Sequence, residues 1–289
     1  MISVLKKFLD FIIYGNLFVA ASVVSALWLT CLQWGLPVKM DSLVLFVFSA
    51  TVFDYTLQRM MSTRQIDREV PTALMSWMQS HVRVEIVLLT ASGVASFVFL
   101  LQVPVRIYPP LLIVAFPALL YAFPLVFRKY SFRLRENAWL KIGTVAFVWA
   151  AVSVVLPYFY YEVHLPAKQW IIPFLERYLL ILALILPFEI RDMAIDKAYQ
   201  FSNVAQRLGK KKTLRLAAAM VISVFLLEVG RLLPLDPDDF PFLIAFFAGS
   251  IYTLLLLGKS RESGSDYFFL IFLDSVPIFI VVLLLLLLS

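Results

Sequence analysis

The stretch Glu189-Ile-Arg-Asp-Met-Ala-Ile-Asp-Lys197 closes a long apolar run with five ionisable side chains: Glu189, Arg191, Asp192, Asp196 and Lys197. On a helix Asp192 and Asp196 are four apart and Glu189 precedes Asp192 by three, so the three carboxylates project from roughly one face. Like charges at that spacing repel by about 0.2–0.5 kcal/mol per pair, and desolvation near lipid adds to this, so a cation belongs beside them. Another acid, Asp54, follows the apolar run LVLFVFSATVF, where a carboxylate is costly unless it faces a polar cavity. Two acidic sites converging on one end of a bundle suit Mg²⁺ held by carboxylates and phosphate oxygens, with Asp54, Glu189, Asp192 and Asp196 as candidate ligands. A second reading stays open: Arg191 and Lys197 can neutralise the acids at a wet helix end. Pro187 either kinks the helix and splays the acidic turn, or marks its end.

The elements that must position these groups are membrane spans. The chain has 289 residues, of which 62% are hydrophobic and 15% charged, against roughly 45–50% and about 25% in soluble domains. Apolar segments at residues 11–34, 42–61, 82–103, 107–127, 138–160, 169–190, 213–233, 240–258 and 266–288 predict an all-α polytopic membrane bundle of nine transmembrane helices, a single domain over 1–289. The first is expected to be a span and not a signal peptide. With the N-terminus cytoplasmic, only Lys39, Arg106, Lys168, Arg177 and Arg231 of the 25 Lys and Arg fall on the opposite side, as the positive-inside rule requires. The C-terminus is then on that opposite side, and a bacterial inner membrane is the expected location. The net charge of +6 follows mainly from this topology, together with attraction for anionic headgroups or substrate; it does not point to nucleic acid.

Of the loop cations, Arg59, Arg128, Lys129, Arg191 and Lys197 adjoin the helix mouths and are the better phosphate contacts. The segment PTALMSWMQSH suits either a short amphipathic cap over that mouth or a plain interfacial helix. Cys31 is the lone cysteine and forms no internal disulfide. His81 and His164 are expected on opposite sides of the membrane, which argues against a histidine metal cluster. Neither a phosphate-binding Gly-x-x-x-x-Gly-Lys loop nor a Gly-x-Ser-x-Gly elbow is present.

IRDMAIDKAYQFSNVAQRLGKKKTLRL, and LLYAFPLVFRKYSFRLRENAWLK leading into the fifth segment, resemble the second acidic motif and the Tyr-x-x-Pro segment of the UbiA superfamily of intramembrane prenyltransferases. The resemblance extends over most of the chain. It implies a UbiA-like nine-helix bundle and Mg²⁺-dependent transfer of a prenyl group from a polyprenyl diphosphate to a lipophilic acceptor, aromatic or a quinone precursor. By resemblance Asp192 and Asp196 hold metal, Asp54, Gln58 and Arg59 complete the diphosphate site, and Tyr121 lines the cavity. The family's first motif, Asn-x-x-x-Asp-x-x-x-Asp, falls on Ala50, Asp54 and Gln58, so only its middle acid remains, and Arg59 is placed to supply charge that a metal otherwise brings. This departure leaves an alternative class: a catalytically silent relative that binds an isoprenoid or lipid, or serves as an assembly partner.

Overall fold

A computed structural model of the chain describes residues 2–63, 73–122, 125–127, 130–132, 137–198, 201–260 and 264–289. Its helices are α1 (Ile2–Tyr14), α2 (Leu17–Gln33), α3 (Ser42–Thr63), α4 (Ala73–Ser80), α5 (Val82–Leu100), α6 (Tyr108–Ala122), α7 (Ala138–Ala150), α8 (Leu156–Tyr160), α9 (Ala167–Ala198), α10 (Val204–Leu208), α11 (Lys210–Leu232), α12 (Phe240–Lys259) and α13 (Ser275–Leu288). A π-helical turn, Ala151–Val155, joins α7 to α8, and another, Phe268–Leu273, precedes α13. A short antiparallel ribbon, β1 (Leu125–Phe127) with β2 (Tyr130–Phe132), links α6 to α7. The main packing runs α5–α3–α2–α13–α12–α11–α9–α7–α6, and the π turn of residues 151–155 closes against both α2 and α9.

The helices follow the apolar segments in order. Among the described residues six are long and apolar enough to cross a membrane, or seven when the bent α1–α2 pair counts as one. This is an integral membrane protein. Helix α6 is short for a bilayer, and α3 carries Asp54, Gln58 and Arg59 in its final turns, so the expected nine crossings are not all met by length and composition.

Two boundaries differ from the sequence reading. The first segment is broken by 55° between α1 and α2, where Asn16 adopts a left-handed φ of 63° and its buried amide donates to Thr56 Oγ1 at 3.0 Å. Helix α9 continues past residue 190 to Ala198 with Pro173 and Pro187 inside it. Pro187 is therefore not a helix end, and the acidic turns continue the same helix beyond the apolar run.

At the other end of α9 lies a buried ionic cluster that the sequence reading had treated as outer-side charge. Arg231 donates to Glu228 through Nε at 2.7 Å and Nη2 at 2.8 Å. Gln33 Nε2 bridges Glu176 and Glu228, each at 3.0 Å, and Gln33 Oε1 accepts from Arg177 Nη2 at 2.6 Å. Two Glu and two Arg, all buried, thus bind α2, α9 and α11 together with no net charge, the arrangement under which buried ions are tolerated.

Candidate active site at one mouth of the bundle

The two turns that prolong α9 carry the carboxylates on one side. Glu189 is buried and held twice: its Oε1 pairs with Lys141 Nζ of α7 at 2.5 Å, and its Oε2 accepts from Val204 N at 3.0 Å. Asn203 fastens the loop after α9. Its Nδ2 donates to Asp196 Oδ2 at 2.6 Å and to Glu189 O at 2.9 Å, while its Oδ1 caps α10 through Ala205 N and Gln206 N. Lys141 also lies 3.8 Å from Asp196. The cation that the crowded acids require is thus Lys141, contributed by a neighbouring helix.

Arg191 supplies the second positive charge. It forks onto Asp192 through Nε at 2.7 Å and Nη2 at 3.2 Å, and reaches Asp266 at 3.5 Å. Its guanidinium lies 5.1 Å from the Phe188 ring and 5.2 Å from that of Phe269. Aromatic faces on a planar cation fix its orientation and strengthen its hold on an anion. Lys197 is exposed and lines neither of the cavities described next.

Two adjoining cavities open here. The larger, about 330 Å³, is bordered by Tyr55, Gln58 and Arg59 of α3, Met75 and Met78 of α4, Trp149 of α7, Arg191 of α9 and Asp274 before α13. The smaller, about 170 Å³, is bordered by Lys141, Glu189, Asp192, Asp196 and Ser202. Tyr121, Val145 and Ile185 belong to both walls. Helix α4 contributes Leu74, Met75 and Met78 to the wall of the larger cavity, and its Leu74 N–H is held by Asp266 Oδ2 at 3.1 Å.

The candidate ligands therefore divide. Glu189, Asp192 and Asp196 share the smaller cavity, as their spacing predicts, but Asp54 borders neither. Its carboxylate accepts from Gln58 Nε2 one turn on, at 2.7 Å, whereas Gln58 and Arg59 do reach the larger cavity. Arg59 Nη1 also donates to Tyr14 O at 3.1 Å. Among the described residues no group of three or more His, Cys, Asp or Glu forms a ready metal cage. Arg128 and Lys129 lie outside the described residues.

Lys141, Asn203, Asp266 and Asp274 were not singled out from sequence. Asp274 carried the signal that revealed Asp54, an acid inside an apolar run; Asn203 carried none. Lys141 gives a direct test. Lys141→Met leaves Glu189 buried without its counter-ion and is expected to cost about 3 kcal/mol, a fall of roughly 6–12 °C in the thermal unfolding midpoint in detergent. Adding Glu189→Met should recover most of it, as removing both members of a buried pair generally does.

No protein-family model matches the sequence, and no curated protein does. Solved structures do. A UbiA homologue from Archaeoglobus fulgidus bound to GPP and Mg²⁺ aligns with a TM-score of 0.65 at 12% identity, over 95% of this chain and 98% of that one. The apo UbiA homologue from Aeropyrum pernix K1 gives 0.65 at 14% identity, over 93% and 98%. A digeranylgeranylglyceryl phosphate synthase structure gives 0.55 at 15% identity, over 98% and 97%. The chain has the UbiA fold.

Proposed function

We propose, from that shared fold, that the chain is a UbiA-type prenyltransferase of nine spans that moves a prenyl group from a polyprenyl diphosphate to a lipophilic acceptor, aromatic or a quinone precursor. The observation that carries this reading is the pairing of an acid-lined compartment, Asp192 with Asp196, and a mostly apolar one edged by Arg59 and Arg191. The first suits a diphosphate headgroup with its cation, the second an isoprenoid tail. The site opens to the cytoplasm, where the N-terminus also lies.

The donor set fits Mg²⁺, which characteristically takes one or two carboxylates and fills its remaining positions with water and phosphate oxygens. Asp192 and Asp196 would hold it. When bound, the ion supplies Lewis-acid stabilisation of the leaving diphosphate. Glu189, the third acid of the small cavity, is buried and paired with Lys141 and the Val204 amide, and in this reading it supports the site. Arg59 and Arg191 contact the diphosphate, with Gln58 beside them, and Arg59 contributes charge on the side where Asp54 is turned to Gln58. Tyr121 lies between the compartments, against the first carbons of the tail.

Asp54's engagement with Gln58 favours a second reading, a silent isoprenoid-binding relative. Incubating the purified protein with radiolabelled geranylgeranyl diphosphate, Mg²⁺ and a membrane lipid extract as acceptor source separates them. The transferase releases diphosphate and stops when EDTA removes the ion, while the silent relative gains thermal stability from the donor and releases nothing. No shift and no release with geranylgeranyl or farnesyl diphosphate refutes both.

A further inference from the structure

Asp274 has no role in the account above, yet it borders the larger cavity. It stands at the end of the π-helical turn Phe268–Leu273, a local widening often found where a functional group is presented. Among the described residues its carboxylate has no hydrogen-bond partner and no ion pair, although Arg59 and Arg191 act on it electrostatically. An acid inside an apolar span is costly and is ordinarily paired; this one is left open to the cavity.

It stands further along its span than the acid that Arg191 touches. Arg191 touches Asp266 at the mouth, and Asp274 lies eight residues further along the same span, roughly 10 Å deeper. At its level α3 and α7 are tied by the hydrogen bond from Trp149 Nε1 to Tyr55 Oη at 3.1 Å, and both rings border the cavity. Arg59, Arg191 and Asp274 border one and the same cavity, so a diphosphate held by the two arginines would leave its prenyl carbons in the cavity that Asp274 borders.

We propose that Asp274 binds the hydroxyl or ring proton of the acceptor and takes it up as the new bond forms. The inference rests on the transferase reading. In the step, the bond from the first prenyl carbon to the diphosphate oxygen breaks and the electron pair leaves with diphosphate. The acceptor's nucleophilic atom supplies the pair for the new bond, and the proton it sheds passes to the Asp274 carboxylate, which becomes the acid. Atoms and charge balance with no further reactant. Tyr55 and Trp149 shape the pocket, and their faces stabilise the developing allylic cation.

The test compares donor binding with transfer in the detergent-purified full chain, using radiolabelled geranylgeranyl diphosphate, Mg²⁺ and a bacterial membrane lipid extract as acceptor source. Asp274→Asn is expected to keep the donor-induced thermal shift, with a Kd within about twofold, while label transferred to lipid falls about 10²–10⁴-fold, the span of a lost general base. Asp274→Glu should restore part of the transfer. Transfer by Asp274→Asn within about threefold of wild type overturns the proposal, as does loss of donor binding, which would put Asp274 in the headgroup site. So does a wild type that releases diphosphate but labels nothing in the extract. A wild type that neither binds nor cleaves the donor fails the transferase reading itself, a result distinct from the others.

Discussion

Asp192→Ala is expected to lower diphosphate release by about 10³-fold, the loss found when a preorganised charge-stabilising group is removed, while thermal stability changes by less than about 1 kcal/mol. The two effects separate because of where the side chain sits. Asp192 is 34% exposed and its ion pair is with the adjacent Arg191; a partly exposed pair of this kind contributes little to folding. Towards substrate its position is different, since it faces the small cavity beside Asp196 and orients Arg191 by a two-point contact. Removing it takes away one of two available carboxylates and the two-point contact on Arg191, which keeps Asp266 and the Phe188 and Phe269 rings. Asp196→Ala should lower both quantities, because Asp196 also anchors Asn203, which caps α10 and pins Glu189 O. Assays of release and of thermal unfolding on the two variants check this directly. If Asp192→Ala released diphosphate at the wild-type rate, the acid-lined compartment would not be the headgroup site.

What sequence can reveal about this molecule follows from what bilayers penalise. Apolar runs and ions within them are conspicuous, so the order of the helices, the acidic face of α9 and Asp54 were all legible. Direction was not. Asp54 and Gln58 are four apart, a spacing at which they meet along one helix, but whether that pair faces a cavity depends on the neighbouring helix. The Gly15–Asn16 turn was readable in principle, since Gly-Asn favours positive φ, yet it lies inside an apolar run that masks it. The end of α9 was underestimated because hydropathy marks where lipid stops, not where the helix does. Lys141, 48 residues before Glu189, and Asp266, 75 after Arg191, meet their partners only through tertiary packing.

The buried cluster at the far end of α9 gives the other large effect, on stability and not on chemistry. Arg231→Met removes the fork onto Glu228 and leaves two glutamates bridged by Gln33 against Arg177 alone, one negative charge in excess. Glu228→Leu leaves the opposite excess. Each is expected to cost about 3–5 kcal/mol, the usual penalty for stranding one member of a buried pair, or on the order of 10 °C in the midpoint. The double variant restores neutrality, with Glu176 and Arg177 3.5 Å apart and still joined through Gln33. It should be closer to wild type than either single variant, a coupling that a double-mutant cycle of thermal unfolding measures. Arg177 and Asp192 are separated along α9 by roughly 22 Å, so diphosphate release by the folded double variant should match wild type. A double variant as unstable as the sum of the singles would mean that these side chains act through packing and not as a charge-balanced set.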